Sequence, residues 1–291
     1  MVCVSLRVQF VGASFADWPE RLRRGPRLRD VSVEGSLEAE RVVAIVGPRD
    51  PCPGILEGTR FIAGECARRG IVVASGGARG VDRAAHEGAL DAGGVSWAVL
   101  PCGADHVSPT EHRALFGRIA QAGGALVWPY APNQKSGLGT FTKRNEVLVG
   151  LADAVIVTQA PEFGSGTQNT MGHAKKRQCP LWVVPPVPWV RGVAAVAALG
   201  GGARPLYSLE PLFRSLGLDV SAESGPLGSL PPRQDPTEQS LVLALASGPR
   251  HPDDLVSACG GSVAAVHRAL LTLSLDSVVV DGPDGRYRLC R

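Results

Sequence analysis

Between Arg41 and Val184, short β-branched runs alternate with helix-compatible stretches, and no other feature limits the fold of this chain so strongly. Strands are expected at Val42–Val46, Ile71–Ser75, Ser96–Leu100, Ala125–Trp128, Ala154–Thr158 and Leu181–Val184. Helices are expected at Gly58–Arg69, Val81–Ala92, Glu111–Ala122, Arg144–Leu151 and Thr167–Lys176. A strand wetted on one face alternates apolar with polar residues. These runs are continuously apolar, so both faces must be covered. Strand–helix–strand units of this length close as right-handed crossovers and lay their strands parallel. The expected class is therefore α/β, a doubly wound and mostly parallel sheet.

Other segments flank that unit. Residues 1–40 contain "WPERLRRGPRLRDVSVEG", too charged to make a core alone, and are expected to pack on the main domain, residues 41–218. A closing helix is expected at Leu209–Leu216. Residues 219–236, rich in Pro, Gly and Ser, read as a linker. Residues 237–291 follow as a small domain. They offer helices at Thr237–Ala246, Pro252–Ala258 and Ser262–Leu273, then strands at Ser277–Val280 and Arg286–Leu289 joined by "DGPDG". Three helices and a hairpin outline a winged helix.

Bulk properties exclude several classes. Apolar residues make up 44% and charged residues 20%, so a sizeable core is expected. A net charge of +3 is too small to name a partner without local clustering. The seven cysteines stand singly with no CxxC pair, which removes zinc-ribbon and thioredoxin readings and fits a reducing compartment. The amino-terminal segment lacks the pattern of a secretory signal, and "WVVPPVPWVRGVAAVAALGGG" is too interrupted to span a membrane, so a cytoplasmic location is expected. The six histidines form neither HExxH nor a ligand cluster, and no metal or cofactor is expected.

In such sheets ligands bind beyond the carboxyl ends of the strands, near the point where strand order reverses. The first such loop, "GPRDPCPG", presents Arg49. The second, "SGGARGVD", offers Gly76 and Gly77, whose missing Cβ atoms leave room for a ligand. Gly80 there turns the chain into a helix whose first amides form an anion site beside Arg79. Asp82 reads as a cap of that helix, and His86 as a packing position. The loop "PYAPNQKSGLGTFTKRNE" sets Phe141 beside Lys143, Arg144 and Asn145; cations at a helix start oppose its dipole and invite an external anion. "EFGSGTQNT" brings Gly164, Ser165, Gly166 and Thr167 to another helix start. None of these loops supplies a nucleophile with a partnered base. There is no GxxxxGK[ST], no GxGxxG at the first turn and no GxSxG.

The ordered motifs "VAIVGPR", "GIVVASGGARGVDRAAHEGAL", "AVLPCGADHVSPTEHRALFGRIAQAGG", "GTFTKRNEVLVGLADAVIVTQAPEFGSGTQNT" and "GGGARPLYSLEPLF" resemble those of the DNA processing protein A (DprA/Smf) family. The resemblance implies a Rossmann-like domain followed by a winged helix. It implies sequence-independent binding of single-stranded DNA without enzymatic activity. It also implies a homodimer that protects incoming DNA and hands it to the RecA recombinase in natural transformation. Arg49 falls at the family's DNA-contacting arginine, and Gly76, Gly77, Arg79 and Gly80 at its glycine loop. Phe141, Lys143, Arg144 and Asn145 fall at its Phe-x-(Lys/Arg)-Arg-Asn motif, and Gly164–Thr167 at its Gly-Ser…Thr loop. This chain departs from that pattern at Pro48, Trp128-Pro129, Glu146 and "VVPPVP"; Glu146 would put a carboxylate beside the DNA path.

Cations that track phosphates and an aromatic face for a base suit such binding. On this reading Arg49→Ala and Arg144→Ala each lose a phosphate contact. The third winged-helix segment, "SVAAVHRALLTLSL", has few donors for reading DNA. Arg286, Arg288 and Arg291 could touch phosphates, but protein contact or self-association is the expected role. Two rival classes stay open: a nucleotide sensor signalling through the winged helix, and a nucleoside-monophosphate phosphoribohydrolase-like enzyme. The second would need an acid where this chain has Thr170.

Overall fold

A computed structural model describes residues 7–9, 18–161, 163–186, 192–219, 235–246, 248–276, 278–282 and 285–290. The chain divides into two compact units, Met1–Leu212 and Phe213–Arg291. The break falls earlier than the expected one after residue 218, and most of the expected linker lies outside the described residues.

In chain order the first unit contains β1 (Arg7–Gln9), α1 (Glu20–Arg23), β2 (Ser32–Glu34), β3 (Val42–Val46), α2 (Pro53–Arg68), β4 (Val72–Ser75), α3 (Val81–Asp91) and β5 (Ser96–Val99). A 3-10 turn (Thr110–His112) leads into α4 (Arg113–Gln121). Then come β6 (Ala125–Trp128), α5 (Leu138–Leu151), β7 (Ala154–Val157), α6 (Gly166–Lys176), β8 (Leu181–Val183), α7 (Val193–Gly200) and β9 (Arg204–Pro205), and α8 (Glu210–Ser215) spans the break. The nine strands form one sheet in the order β1-β2-β6-β5-β4-β3-β7-β8-β9. From β6 to β9 all pairings are parallel, whereas β1–β2 and β2–β6 are antiparallel. Strand order reverses at β3, whose neighbours are β4 and β7, so the loops after β3 and β7 meet there.

Every residue of β3, β4, β5, β6 and β7 is buried, as continuous apolar runs require. On one face Val42, Ala44, Val46, Val155 and Val157 share a core with Val147, Leu148 and Leu151 of α5 and Met171 and Ala174 of α6. Another cluster joins Ala98, Leu126 and Trp128 to Leu115, Phe116 and Ile119 of α4.

Four differences from the expected pattern have local causes. The amino-terminal segment does more than pack on the sheet. Ser32, Val33 and Glu34 pair with Trp128, Val127 and Leu126 and extend it, while Trp18, Leu22, Val31 and Leu37 enter the core. Arg21 fixes this segment from within. Its guanidinium donates to the carbonyls of Ala39 (2.6 Å), Glu40 (2.9 Å) and Leu151 (3.0 Å) and pairs with Asp153 at 3.0 Å. Secondly, α5 begins at Leu138, six residues before Arg144; Gly139, Thr140 and Thr142 hide the helix by propensity. Its start is closed by the Gly137 amide donating to Thr140 Oγ1 (2.9 Å) and the Thr140 amide to Gly137 O (3.0 Å). Thirdly, α2 starts at Pro53, a residue suited to the first helical turn. Lastly, α7 and β9 form within residues 193–205, where no helix or strand is expected from the sequence.

The second unit contains α9 (Pro236–Ala246), α10 (Pro252–Cys259), α11 (Val263–Leu275) and an antiparallel pair, β10 (Val279–Asp281) and β11 (Tyr287–Leu289). Leu241, Leu245, Leu255, Val266, Leu270, Leu273, Val279 and Leu289 make its core, the expected winged-helix arrangement. The tip of the hairpin turn and Arg291 lie outside the described residues; Arg286 and Arg288 are exposed. No single helix among the described residues is long and apolar enough to cross a membrane. Nor do those residues hold a group of three potential metal ligands, and the six described cysteines are free.

Candidate nucleic-acid interface

A groove of about 1220 Å³ opens at the carboxyl rim by the reversal point and continues along α6 to α7 and the start of β9, where Lys175 and Arg204 also line it. Of the thirteen residues singled out in the sequence, eight line it: Arg49, Phe141, Arg144, Asn145, Gly164, Ser165, Gly166 and Thr167. Gly76, Gly77, Arg79, Gly80 and Lys143 do not.

Arg49 is exposed on the loop after β3, and its guanidinium lies 4.9 Å from the centroid of the half-buried Phe141 ring. That distance is a cation–π contact between the loop after β3 and the beginning of α5. Gly80 makes it possible. Its φ is +75°, and a Cβ there would sit 2.5 Å from the carbonyl oxygens of Pro48 and Arg49. The loop bearing Arg49 therefore rests directly on the start of α3, where the Val81 amide donates to Pro48 O (3.2 Å).

The same packing corrects the anion site expected at the start of α3, because the preceding loop covers it. The roles given to Gly76 and Gly77 change as well. Both are buried, and the space left by their missing side chains is filled by the protein itself. A Cβ on Gly76 would lie 1.2 Å from Arg144 Nη1, and one on Gly77 would lie 3.0 Å from the Phe116 ring. Arg79 is exposed, 3.6 Å from the exposed Glu111.

Arg144 differs most from its expected role. It is 6% exposed, with Nη1 donating to Val99 O at 3.3 Å and lying 3.7 Å from Asp82 Oδ2. Helix α5 thus reaches across the rim and ties the end of β5 to the start of α3 through one guanidinium. Burial pushes the Asp82 carboxyl up, opposed by Arg144 and by the Ala78 amide, which donates to Oδ2 at 3.2 Å. Burial likewise pulls Arg144 down, with Asp82 opposing and Arg49 reinforcing. Asp82 is therefore an internal counter-ion, not the cap of α3; the N-cap position belongs to Gly80. The buried Nε of Arg144 has no hydrogen-bond partner.

Asn145 is also used internally. Its amide donates to Gly166 O (3.2 Å) and Asn169 Oδ1 (3.1 Å), tying α5 to the start of α6. Lys143 is exposed but lies in the second turn of α5, beyond the first turn where a helix dipole acts, so the dipole argument for it fails. Glu146 does not line the groove and lies 3.9 Å from Arg177.

The loop after β7 forms the far lip. Gly164 has φ +76°, its amide donates to Gln168 Oε1, and Ser165 Oγ caps α6 by accepting the Gln168 amide at 3.2 Å. Phe163, part of the loop "EFGSGTQNT" but not among its expected site residues, lines the groove and is 58% exposed. Thr170 is buried, its hydroxyl donating to Gly166 O (3.0 Å). His86 is buried as a packing residue. Its Nδ1 lies 2.7 Å from Ser96 Oγ, which donates to Val73 O, and burial pushes its pKa down to about 3.

Chemically, the groove offers an exposed guanidinium over an aromatic face, a helix start and small residues. A buried arginine closes its floor. It suits an extended anion with planar groups.

Comparison with known proteins finds matches over most of the chain. The model of the DNA recombination-mediator protein A family matches residues 9–216, and that of the DprA winged helix domain matches residues 225–285. Protein Smf of Synechocystis sp. is 28% identical over 278 residues, covering 84% of this chain and 69% of that protein. A putative DNA processing protein DprA of Mycobacterium tuberculosis is 38% identical over 137 residues, 47% of this chain but only 35% of that protein. Among solved structures, DNA processing protein A from Helicobacter pylori, described for its single-stranded DNA binding mode, superposes with a TM-score of 0.62. It is 29% identical and is matched over 69% of this chain and 93% of its own.

Proposed function

Because the chain belongs to the DNA recombination-mediator protein A family, we propose that it binds single-stranded DNA without sequence preference along the carboxyl rim of its sheet. It acts as a binding protein and not as an enzyme. The strand lies in the groove between the loops after β3 and β7. Arg49 neutralises phosphate, the ring of Phe141 stacks a base, and the start of α6 offers polar groups to the backbone. Arg144, Asp82 and Asn145 hold these elements in place from beneath. One observation carries the proposal: the exposed Arg49 guanidinium poised over Phe141 in an open groove.

The proposal extends to a cytoplasmic homodimer that protects incoming DNA and passes it to RecA during natural transformation. Family membership supports this part. The rival enzymatic reading is disfavoured at Thr170, whose hydroxyl is turned to a helix carbonyl where an acid would be needed.

Fluorescence anisotropy with labelled oligo-dT tests the proposal, with nucleoside monophosphates as competitors and base release as a parallel assay. The expected result is oligo-dT binding that weakens with salt and resists nucleotide competition. Release of a free base from a monophosphate would overturn it.

A further inference from the structure

We infer that Phe163 is a second base-stacking platform at the lip of the groove, so that the rim stacks two bases of one strand, one on Phe141 and one on Phe163. This rests on the single-strand-binding reading above and deepens it.

Phe163 is 58% exposed and lines the same groove as Arg49 and Phe141. Exposure alone would say little, because single apolar side chains are common on surfaces. Phe61 on α2 is comparably exposed, at 49%, yet does not line the groove. What separates Phe163 is how it is presented. The next residue, Gly164, turns the chain at φ +76°, in open space. The Gly164 amide is held by Gln168 Oε1, and the Gln168 amide is held by Ser165 Oγ. Backbone on the carboxyl side of Phe163 is therefore fixed by polar contacts that do not involve its ring. An apolar ring held out over a groove next to a helix start keeps a π-face available, and every base has one to offer it. Arg49, Lys175, Arg204 and the start of α6 all line the groove and are the groups suited to phosphate, so the ring adds apolar contact without changing charge.

The test compares Phe163→Ala, Phe163→Tyr and Phe61→Ala in the full chain, reading oligo-dT affinity against salt. A fluorescent purine analogue placed in the oligonucleotide, whose emission falls on stacking, gives a second readout. Phe163→Ala should weaken binding roughly 5-fold or more, the loss of one base stack, and leave the salt slope unchanged. It should also relieve part of the quenching. Phe163→Tyr and Phe61→Ala should both bind as the natural chain does. If Phe163→Ala binds within about two-fold of the natural chain with quenching intact, the second platform is wrong even though the rim still binds DNA. If the natural chain itself fails to bind oligo-dT, the underlying reading fails instead. Because the ring is exposed, the alanine variant leaves the core untouched.

Discussion

Replacing Arg144 with alanine separates two accounts of the rim. In the structure the guanidinium and the Asp82 carboxylate are both buried, 7% and 9% exposed as side chains, and 3.7 Å apart. Their attraction at that distance is about 4 kcal/mol at the effective dielectric of a protein interior. Removing one partner of such a pair costs roughly 3–5 kcal/mol, because the other charge stays buried without compensation. For a unit of this size that corresponds to a fall in Tm on the order of 10 °C. The loss should depend on pH. Without Arg144, the Asp82 carboxyl lies further above its unfolded value, so the folded state favours the protonated acid. The penalty is then small below about pH 4 and grows as pH rises through the folded value. DNA affinity should fall because Phe141 and the rim loops lose their anchor, yet the slope of log K against log salt should stay that of the natural chain. Thermal unfolding across pH and anisotropy across salt read these quantities. A variant that unfolds like the natural chain, while its salt slope drops by about 0.7, would make Arg144 a phosphate contact and not an internal anchor.

Three further outcomes are expected. Gly76→Ala places a methyl group 1.2 Å from Arg144 Nη1 and must expel the guanidinium. It should therefore destabilise the fold at least as much as Arg144→Ala, by thermal unfolding, and abolish oligo-dT binding. Buried His86, with its pKa pushed down to about 3, stays neutral in the folded state where the unfolded chain takes up a proton. Stability should accordingly fall from about pH 6.5 towards acid by up to about 1.4 kcal/mol per pH unit, and His86→Gln should flatten that limb of a denaturant-midpoint profile. Arg21→Ala removes the partly buried pair with Asp153, which keeps Arg24, and leaves the carbonyls of Ala39, Glu40 and Leu151 without their donor. A cost of about 1–3 kcal/mol is expected, with faster proteolysis of the amino-terminal segment as the check.

The parallel sheet was legible because strands covered on both faces must be apolar throughout, as Val42–Val46 and Ala154–Val157 are. Helix α5 was legible only from Arg144 onward, since its first turns are written in glycine and threonine and depend on the Gly137–Thr140 cap. The two antiparallel edge strands escaped notice because each is three residues long, and β2 takes its partner from β6, far away in sequence. At the site, sequence located the groove but not the direction of its side chains. Gly76 looked like a space for a ligand and is a space for Arg144. Arg144 looked like a hand held out to phosphate and is a pin between the end of β5 and the start of α3. Charge and motif announce that such residues matter; only the packing of α5 across the rim decides whether they face DNA or each other. Phe163 illustrates the converse, since neither period nor motif marks an aromatic in a loop.

Everything proposed for the rim depends on Arg49, exposed over Phe141, meeting the DNA backbone. Oligo-dT anisotropy across a salt series with the natural chain and with Arg49→Ala tests it most directly. The variant should bind more weakly, with a salt slope lower by about 0.7 and an unchanged unfolding temperature. Equal affinities and parallel salt slopes for the two proteins would contradict it.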